Sequence, residues 1–568
     1  MRIDCHTHLF TLRTVLTREA ARVITQRIRD KGLPEFIVSA IEKLLDDLLD
    51  RPRYLNERQL LGLLFRKLLD TDSFNHLLDT RLAGMPITLT LRGADPMDLP
   101  LEALQRALDQ ISTLTDDAST VGKSFYDVVA TLRISMKPTI TDVADHVLEQ
   151  LDPNDAIVAL MMDIRAPDEG DRDRDNFMRQ IAGTEEAALQ RPGRVLPFFA
   201  VHPERPDCVA LLKQAVEKRG FVGVKLYPSL GYPIDHPTLL EVYDYCLEMD
   251  LPVLLHCSHG GFYRKTEFIE FCDPGDWDAV LTGDRAGLRV CFAHFGGWEA
   301  LGKPDGLDPG TWGRKILDLI RSRDNVFTDL AYHTSQMGDP ADEAHYFRKL
   351  SELLKDDLLK RRILYGSDTW LLRLDLSNTF FRSYFEERMT EAEFRQISEI
   401  APMEFLGFPG PGTAMRPNLQ RYVEAVDAGR NKLGAEPAGW LRNRLSGAPT
   451  VDRAPASWSI RKDAPARTWQ GLADVMTNSQ RQKFLTARLI QLSELTYFQP
   501  RDPNFDHKCE HLARIFLQFA GQGADYRGTW NDTSAVNHFT ELFRKGEDTL
   551  GEVALVLDSV FEYDKPLA

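Results

Sequence analysis

The stretch RVLPFFAV (194–201), followed by FVGVKL (221–226), PVLLH (252–256) and RVCFA (289–293), sets apolar, strand-like runs at intervals that leave room for a helix between each. Runs this continuously hydrophobic imply burial on both faces, as in a parallel sheet covered by helices. The alternation continues outward in both directions. AIVALMM (156–162) precedes it, and VFTDL (326–330) and RILY (362–365) follow, giving seven strands between about residues 151 and 410. RIDC (2–5) at the start of the chain makes eight, the number that closes a (β/α)₈ TIM barrel within the α/β class.

The segments outside this alternation read as helix. IVSAIEKLLDDLLD (37–50) and QLLGLLFRKLLD (59–70) repeat apolar residues at helical spacing with no strand between them. Residues 11–150 are therefore expected to form a large helical insertion after strand one, and 1–10 to hold the first barrel strand. Residues 151–410 supply the rest of the barrel, and FPGPG (408–412) punctuates its end. Residues 411–568 are expected to be a mainly helical C-terminal extension, with helices at 480–498 and 509–521 and a Pro/Ala/Ser-rich loop around 446–468. A chain of 568 residues exceeds what one core supports, so more than one lobe is expected.

A formal charge of −16 argues against a phosphate-backbone binder, which needs a concentrated basic face, so no nucleic acid is expected as partner. The N-terminus lacks the apolar core of a secretory signal, and no run of eighteen uncharged apolar residues occurs, so no membrane association is expected. The seven cysteines are scattered with no C-x-x-C pair, which is cytoplasmic usage. Cys5, Cys257 and Cys291 sit in strand-like runs, as small buried hydrophobes do.

The chemistry-bearing residues fall at strand ends. DCHTH (4–8) follows the first strand, and histidines at i and i+2 on extended backbone point to one side, where they can share a cation. His256 ends PVLLH, His294 follows RVCFA, and Asp368 follows RILYGS. The carboxyl ends of barrel strands ring one face, so these side chains converge although hundreds of residues separate them. Imidazoles with a carboxylate suit zinc, with manganese or iron as alternatives, and three or four protein ligands with an open position is the catalytic arrangement. His259 in CSHGGFYRK is a candidate substrate contact on a loop able to close over the site, and Arg165 and Arg373 are candidates for pairing with a substrate carboxylate. His202 is expected to orient its loop, and Asp329 and His333 to support the metal-binding histidines.

DCHTH (4–8), GVKLYP (223–228), LPVLLHCSHGG (251–261), CFAHFGGW (291–298), ILYGSDTW (363–370) and MEFLGF (403–408) together resemble the amidohydrolase superfamily. Within it they resemble the branch of aminocarboxymuconate-semialdehyde decarboxylase and related metal-dependent hydrolases. The resemblance covers residues 1–8 and about 156–408 and leaves both helical additions unexplained. It implies that His6, His8, His256 and Asp368 bind one divalent metal ion, and that His294 beside them acts as acid/base and substrate contact. It also implies Lys225 at the end of strand four. There a carbamate on this lysine would bridge two metals in a binuclear member, whereas with the favoured single metal Lys225 binds an anionic group of the substrate or is paired structurally.

The leading expectation is a metal-dependent hydrolase of an amide, lactone or ester-like bond in a small anionic substrate, with metal-activated water and Asp368 as general base. The same site could serve a lyase, a non-oxidative decarboxylase. A third reading makes the barrel a scaffold whose helical additions bind a protein partner or build a homo-oligomer. Because the insertion leaves directly from the H-x-H motif, it is expected to overhang the barrel mouth.

Overall fold

The computed structural model describes residues 1–30, 32–52, 55–83, 86–115, 125–151, 155–337, 339–374, 378–409, 413–433, 445, 458–460 and 561–563. Eight strands form one parallel sheet in sequence order: β1 Ile3–His8, β2 Ala156–Leu160, β3 Val195–Val201, β4 Gly223–Leu226, β5 Val253–Leu255, β6 Val290–Phe292, β7 Val326–Asp329 and β8 Ile363–Leu364. The Cys5 N–H donates to the Tyr365 carbonyl at 3.0 Å, joining the two edge strands and all but closing the (β/α)₈ barrel. Every residue of all eight strands is buried, which explains the unbroken apolar runs.

Strand one differs from its expected extent. It continues through the H-x-H motif to His8, pairing His8 with Leu160. The register slips between Asp4 and Thr7, a bulge inside the motif. Polar side chains end the apolar run at Cys5 and hide the rest of the strand from a hydrophobicity reading. The backbone pairing of Thr7 and His8 with β2 keeps it extended.

Alternation along β4 puts Gly223 and Lys225 on one face. Gly223 pairs with Phe198. A Cβ on Gly223 would lie 2.4 Å from the Phe198 ring, so only glycine lets that ring lie across the strand. The Phe198 ring meets Phe405 at 6.3 Å, and Phe405 meets Phe327 at 5.3 Å, filling the amino-terminal end of the interior. Gly223→Ala is expected to cost about 1–3 kcal/mol by overpacking, read as a lower thermal midpoint.

Long helices follow the second, third and fourth strands, at Asp171–Gln190, Cys208–Arg219 and Pro237–Met249. Further helices follow the sixth and seventh, at Trp312–Ser322 and Pro340–Leu353. The helix Pro417–Leu433, from the extension, packs on the first two of these. Its Tyr422 hydroxyl accepts from the Gly193 N–H at 2.8 Å and donates to the Val195 carbonyl at 3.0 Å. The Asn418 amide donates to the carbonyls of Val222 and Leu406. Gly193, Val195 and Val222 lie at the amino ends of β3 and β4, the end of the barrel opposite the strand termini that carry the chemistry.

The chain forms two compact units. One comprises residues 1–56, 131–375 and 389–450 and contains the barrel; the other comprises 57–130, 376–388 and 451–568. The helical insertion is thus divided between them. In the second unit, the helices Glu57–Leu69 and Leu101–Thr115 bury Leu60, Leu64, Leu68, Leu104 and Leu108. Arg58 ties the first of these to the Met97 carbonyl at 2.7 Å. Trp458–Ile460 pairs antiparallel with Phe561–Tyr563, so part of the segment expected to be loop is strand. The three residues depend on a partner a hundred positions away, which no local pattern announces. The expected helices at 480–498 and 509–521 lie outside the described residues. No helix among the described residues is long and apolar enough to cross a membrane.

Candidate metal centre at the carboxyl ends of the strands

His6 and His8 leave β1 beside each other, their ring centroids 5.3 Å apart. Asp368 arrives from the end of β8, and its N–H donates to the His6 carbonyl at 2.7 Å. Ligand atoms of His6, His8 and Asp368 lie within 4.8 Å of one another, and so do those of His6, His294 and Asp329. His8 Nε2 stands 3.9 Å from Asp368 Oδ1. His256 joins through His294: His294 Nε2 faces His256 Nδ1 at 3.2 Å, and the His294 and His6 rings lie 4.9 Å apart. The structure thus brings His6, His8 and Asp368 into one group and places His256 at its border.

Hydrogen bonds fix which nitrogen of each imidazole is free. His6 Nδ1 pairs with Asp329 Oδ2 at 2.9 Å, His294 Nδ1 with the Ala331 carbonyl at 2.9 Å, and His256 Nε2 with the Gly260 carbonyl at 2.9 Å. Carboxylate and carbonyl oxygens only accept, so each of these nitrogens carries the proton. Burial lowers the pKa of all three rings, to about 4 for His294 and well below the usual range for His6 and His256. They are neutral near pH 7, and the lone pairs fall on His6 Nε2, His256 Nδ1 and His294 Nε2. His6 Nε2 and Asp368 Oδ1 are buried without a hydrogen-bond partner. Two lone pairs meeting at 3.2 Å repel unless a positive charge serves both. The donor set fits a divalent cation.

The backbone supports this arrangement at a cost. Among non-glycine residues, His294, Phe295, Tyr332 and Asp368 have φ of 61°, 51°, 58° and 57°, all after β6, β7 or β8. Left-handed backbone costs L-residues roughly 1–2 kcal/mol each and is held where surrounding structure over-determines it. Asp329 is one such holder, because its Oδ1 accepts from the N–H groups of His294 at 2.8 Å and Ala331 at 3.0 Å. His333 is another: its Nε2 donates to the His294 carbonyl at 2.8 Å while Nδ1 accepts from the Tyr346 hydroxyl at 2.7 Å.

Burial dominates the electrostatics. It pushes Asp368 up to about 7, with Lys225 opposing. It pushes Lys225 down to about 8, with Asp329 and Asp368 opposing. The Lys225 amine is buried with no hydrogen-bond partner and lies 5.5 Å from the Tyr227 ring centroid. Phe10 and Trp370, with ring centroids 5.3 Å apart, give the centre an apolar wall, Phe10 lying 6.1 Å from His8. The Trp370 Nε1–H donates to Ser135 Oγ at 2.8 Å, so a residue of the insertion holds that wall.

The remaining sequence candidates lie farther out. His259 stacks on Trp312 at 3.9 Å, and its loop is tied at several points. Phe262 N–H donates to the Tyr227 hydroxyl at 2.9 Å, and Ser229 Oγ donates to the Phe262 carbonyl at 2.7 Å. Arg165 sits 3.7 Å from Asp173, which also pairs with Arg205 at 3.0 Å, and Arg205 in turn pairs with Asp163. Arg373 is buried at the end of the helical turn after Asp368, and its charge acts on His146. His202 Nδ1 accepts from the Glu204 N–H at 3.3 Å, bracing its own loop.

Three contributors carried no sequence signal of their own. Asp4 Oδ1 accepts from the N–H groups of His6 at 3.1 Å and Ser367 at 2.9 Å, stitching β1 to the β8 loop. Its place at the head of the H-x-H motif was the available hint. The Tyr227 ring stacks on His256 at 4.2 Å, almost parallel. Arg27, from the helix Arg18–Asp30 of the insertion, donates to the Gly261 carbonyl at 3.1 Å.

Among curated protein sequences, none matches this chain. Solved structures similar to it include a putative 2-pyrone-4,6-dicarboxylic acid hydrolase from Pseudomonas putida, 17% identical, covering 46% of this chain and 86% of that one with a TM-score of 0.33. A manganese-bound mutant of 5-carboxyvanillate decarboxylase from Novosphingobium aromaticivorans is 12% identical and covers 49% and 88%, with a TM-score of 0.30. An amidohydrolase from Mycobacterium avium subsp. paratuberculosis is 14% identical and covers 72% and 99%, with a TM-score of 0.34. The family model described as Amidohydrolase matches residues 3–408. That span takes in all eight strands and every strand-end residue above, and the chain accordingly belongs to the amidohydrolase family of enzymes.

Proposed function

We propose that the protein is a metal-dependent hydrolase that cleaves an amide, lactone or ester-like bond in a small anionic molecule. One observation carries this reading. Three buried neutral imidazoles each commit one nitrogen to an oxygen acceptor and keep the lone pair of the other free, His6 Nε2 in the group with His8 and Asp368, and His256 Nδ1 facing His294 Nε2. Preorganised tautomers of this kind are what a catalytic cation requires of its ligands.

In this proposal His6, His8, His256 and Asp368 hold one divalent ion, with zinc favoured over manganese or iron. When bound, the ion supplies a Lewis acid that polarises the substrate and lowers the pKa of water toward neutrality. The protein's own groups do the rest. Asp368, raised to about 7 by burial, takes a proton near neutral pH and delivers it to the leaving group. His294 Nε2, its ring fixed through Nδ1, holds or returns a proton on the substrate side. Lys225 meets an anionic substrate group from the floor, and the Phe10–Trp370 wall limits access of bulk water. A single ion is favoured over a pair bridged by a carbamate on Lys225.

Elemental analysis of the purified chain, followed by assay against panels of lactones, amides and hydroxybenzoic acids, tests the reading. About one metal per chain is expected, with acid release from a lactone or amide that stops on chelation and returns with zinc, manganese or iron. CO₂ release without acid release would replace hydrolysis by decarboxylation. A chain that takes up no metal would remove both.

A further inference from the structure

We propose that Arg27, supplied by the helical insertion instead of the barrel, anchors a substrate carboxylate at the rim of the centre, away from the bond that reacts. This rests on the reading of the centre as one that acts on a small anionic molecule, and it adds where the anion is held and by what.

Arg27 is carried on Arg18–Asp30, a helix whose Val23, Ile24 and Ile28 are buried, so its position is set by packing. Its Nη2 donates to the Gly261 carbonyl, and a Cβ on Gly260 would lie 3.3 Å from the same nitrogen. The guanidinium therefore rests on the Gly260–Gly261 turn. That turn is part of the centre, since the Gly260 carbonyl takes the His256 Nε2 proton. Gly261 has φ of 84°, and a Cβ there would strike the Tyr227 hydroxyl at 2.3 Å and His256 Nε2 at 2.7 Å. The turn lies that close to the imidazole. Arg27 is half-buried and makes this one hydrogen bond among the described residues, so the other edges of its donor fork are open.

The other cations are placed differently. Arg165 and Arg205 share Asp173, and Arg205 also holds Asp163. Lys225 is fully buried on β4 inside the barrel. Arg27 and Lys225 are the cations whose charge acts on Asp368, and the charge of Arg27 also acts on Tyr227 and Tyr332. A planar guanidinium with free N–H groups pairs with a carboxylate in bidentate fashion. A substrate held this way carries a carboxylate on the side opposite its reacting group, so a dicarboxylate or a carboxylated lactone fits better than a neutral one.

Calorimetric titration of the metal-loaded full chain with isophthalate, and with benzoate for comparison, tests this on wild type, Arg27→Lys and Arg27→Met. Isophthalate affinity is expected to fall about ten-fold or more in Arg27→Met and less in Arg27→Lys, while benzoate changes by under about three-fold. Metal content on the same samples is expected to stay constant. Unchanged isophthalate affinity in Arg27→Met, an equal loss for both acids, or no binding of isophthalate by wild type would each overturn the anchor. Failure of the metal centre itself shows separately, as wild-type protein without metal. Should Arg27→Met not fold, Arg27→Gln keeps a donor to Gly261 and carries the same comparison.

Discussion

Asp368→Asn is expected to lower kcat/KM by about a thousand-fold or more, the upper part of the range for losing a positioned general base. The substitution keeps the shape of the side chain and one oxygen, so a metal can still be held. It removes the capacity to take a proton. Burial pushes this carboxyl up, with Lys225 opposing, so its surroundings favour the protonated form and the carboxylate can accept a proton. An amide has no such equilibrium. The informative pair of measurements is metal content beside kcat/KM. Retained metal with lost turnover is the expected outcome, and retained metal with normal turnover would remove Asp368 from the chemistry.

Asp329→Asn is expected to weaken metal affinity by about 10–100-fold, although Asp329 touches no site for substrate. Its Oδ2 accepts the His6 Nδ1 proton, and this bond keeps the lone pair on Nε2. An asparagine can keep its oxygen on the N–H groups of His294 and Ala331, which turns its NH₂ toward His6. The imidazole must then accept at Nδ1 and carry its proton at Nε2, where the ion would bind. Competition with a chelator of known affinity reads the change directly. Asp329→Ala is the harsher variant. It strands three buried donors, and a loss of about 3 kcal/mol or more in unfolding free energy is expected. If Asp329→Asn bound metal as wild type does, the tautomer argument for the whole centre would fail.

Both predictions depend on residues spaced widely along the chain, and they show which parts of the centre a sequence can announce. His6, His8, His256, His294 and Asp368 are legible because each is a metal-type side chain at the end of an apolar strand, and barrel geometry converges strand ends. Asp329 is legible for the same reason. Tyr227 and Arg27 are not. A tyrosine after a strand and an arginine on an amphipathic helix are commonplace, and their meaning lies only in what packs against them. The bulge in β1 is likewise silent, because it arises from the pairing of Asp4 and Thr7 with β2.

The grouping of the histidines also required coordinates. Strand-end position places His256 among the ligands but does not say that its Nδ1 faces His294 Nε2, nor that Gly260 takes its other proton. His294 is carried on a left-handed turn, and the Gly260 carbonyl is followed by Gly261 at a φ of 84°; L-residues avoid the first conformation unless tertiary contacts hold them.

What the sequence by itself determined is the barrel, its strand order and the set of groups at its mouth. These rest on periodicity and on the fixed polarity of a parallel sheet, both of which are local rules repeated eight times. The tertiary structure alone decided the tautomers, the division of the insertion between two units, the docking of Pro417–Leu433 at the amino ends of β3 and β4, and the arrival of Arg27 at the rim. Each of these depends on which side chain meets which acceptor across long stretches of chain, and no short-range pattern encodes such a meeting.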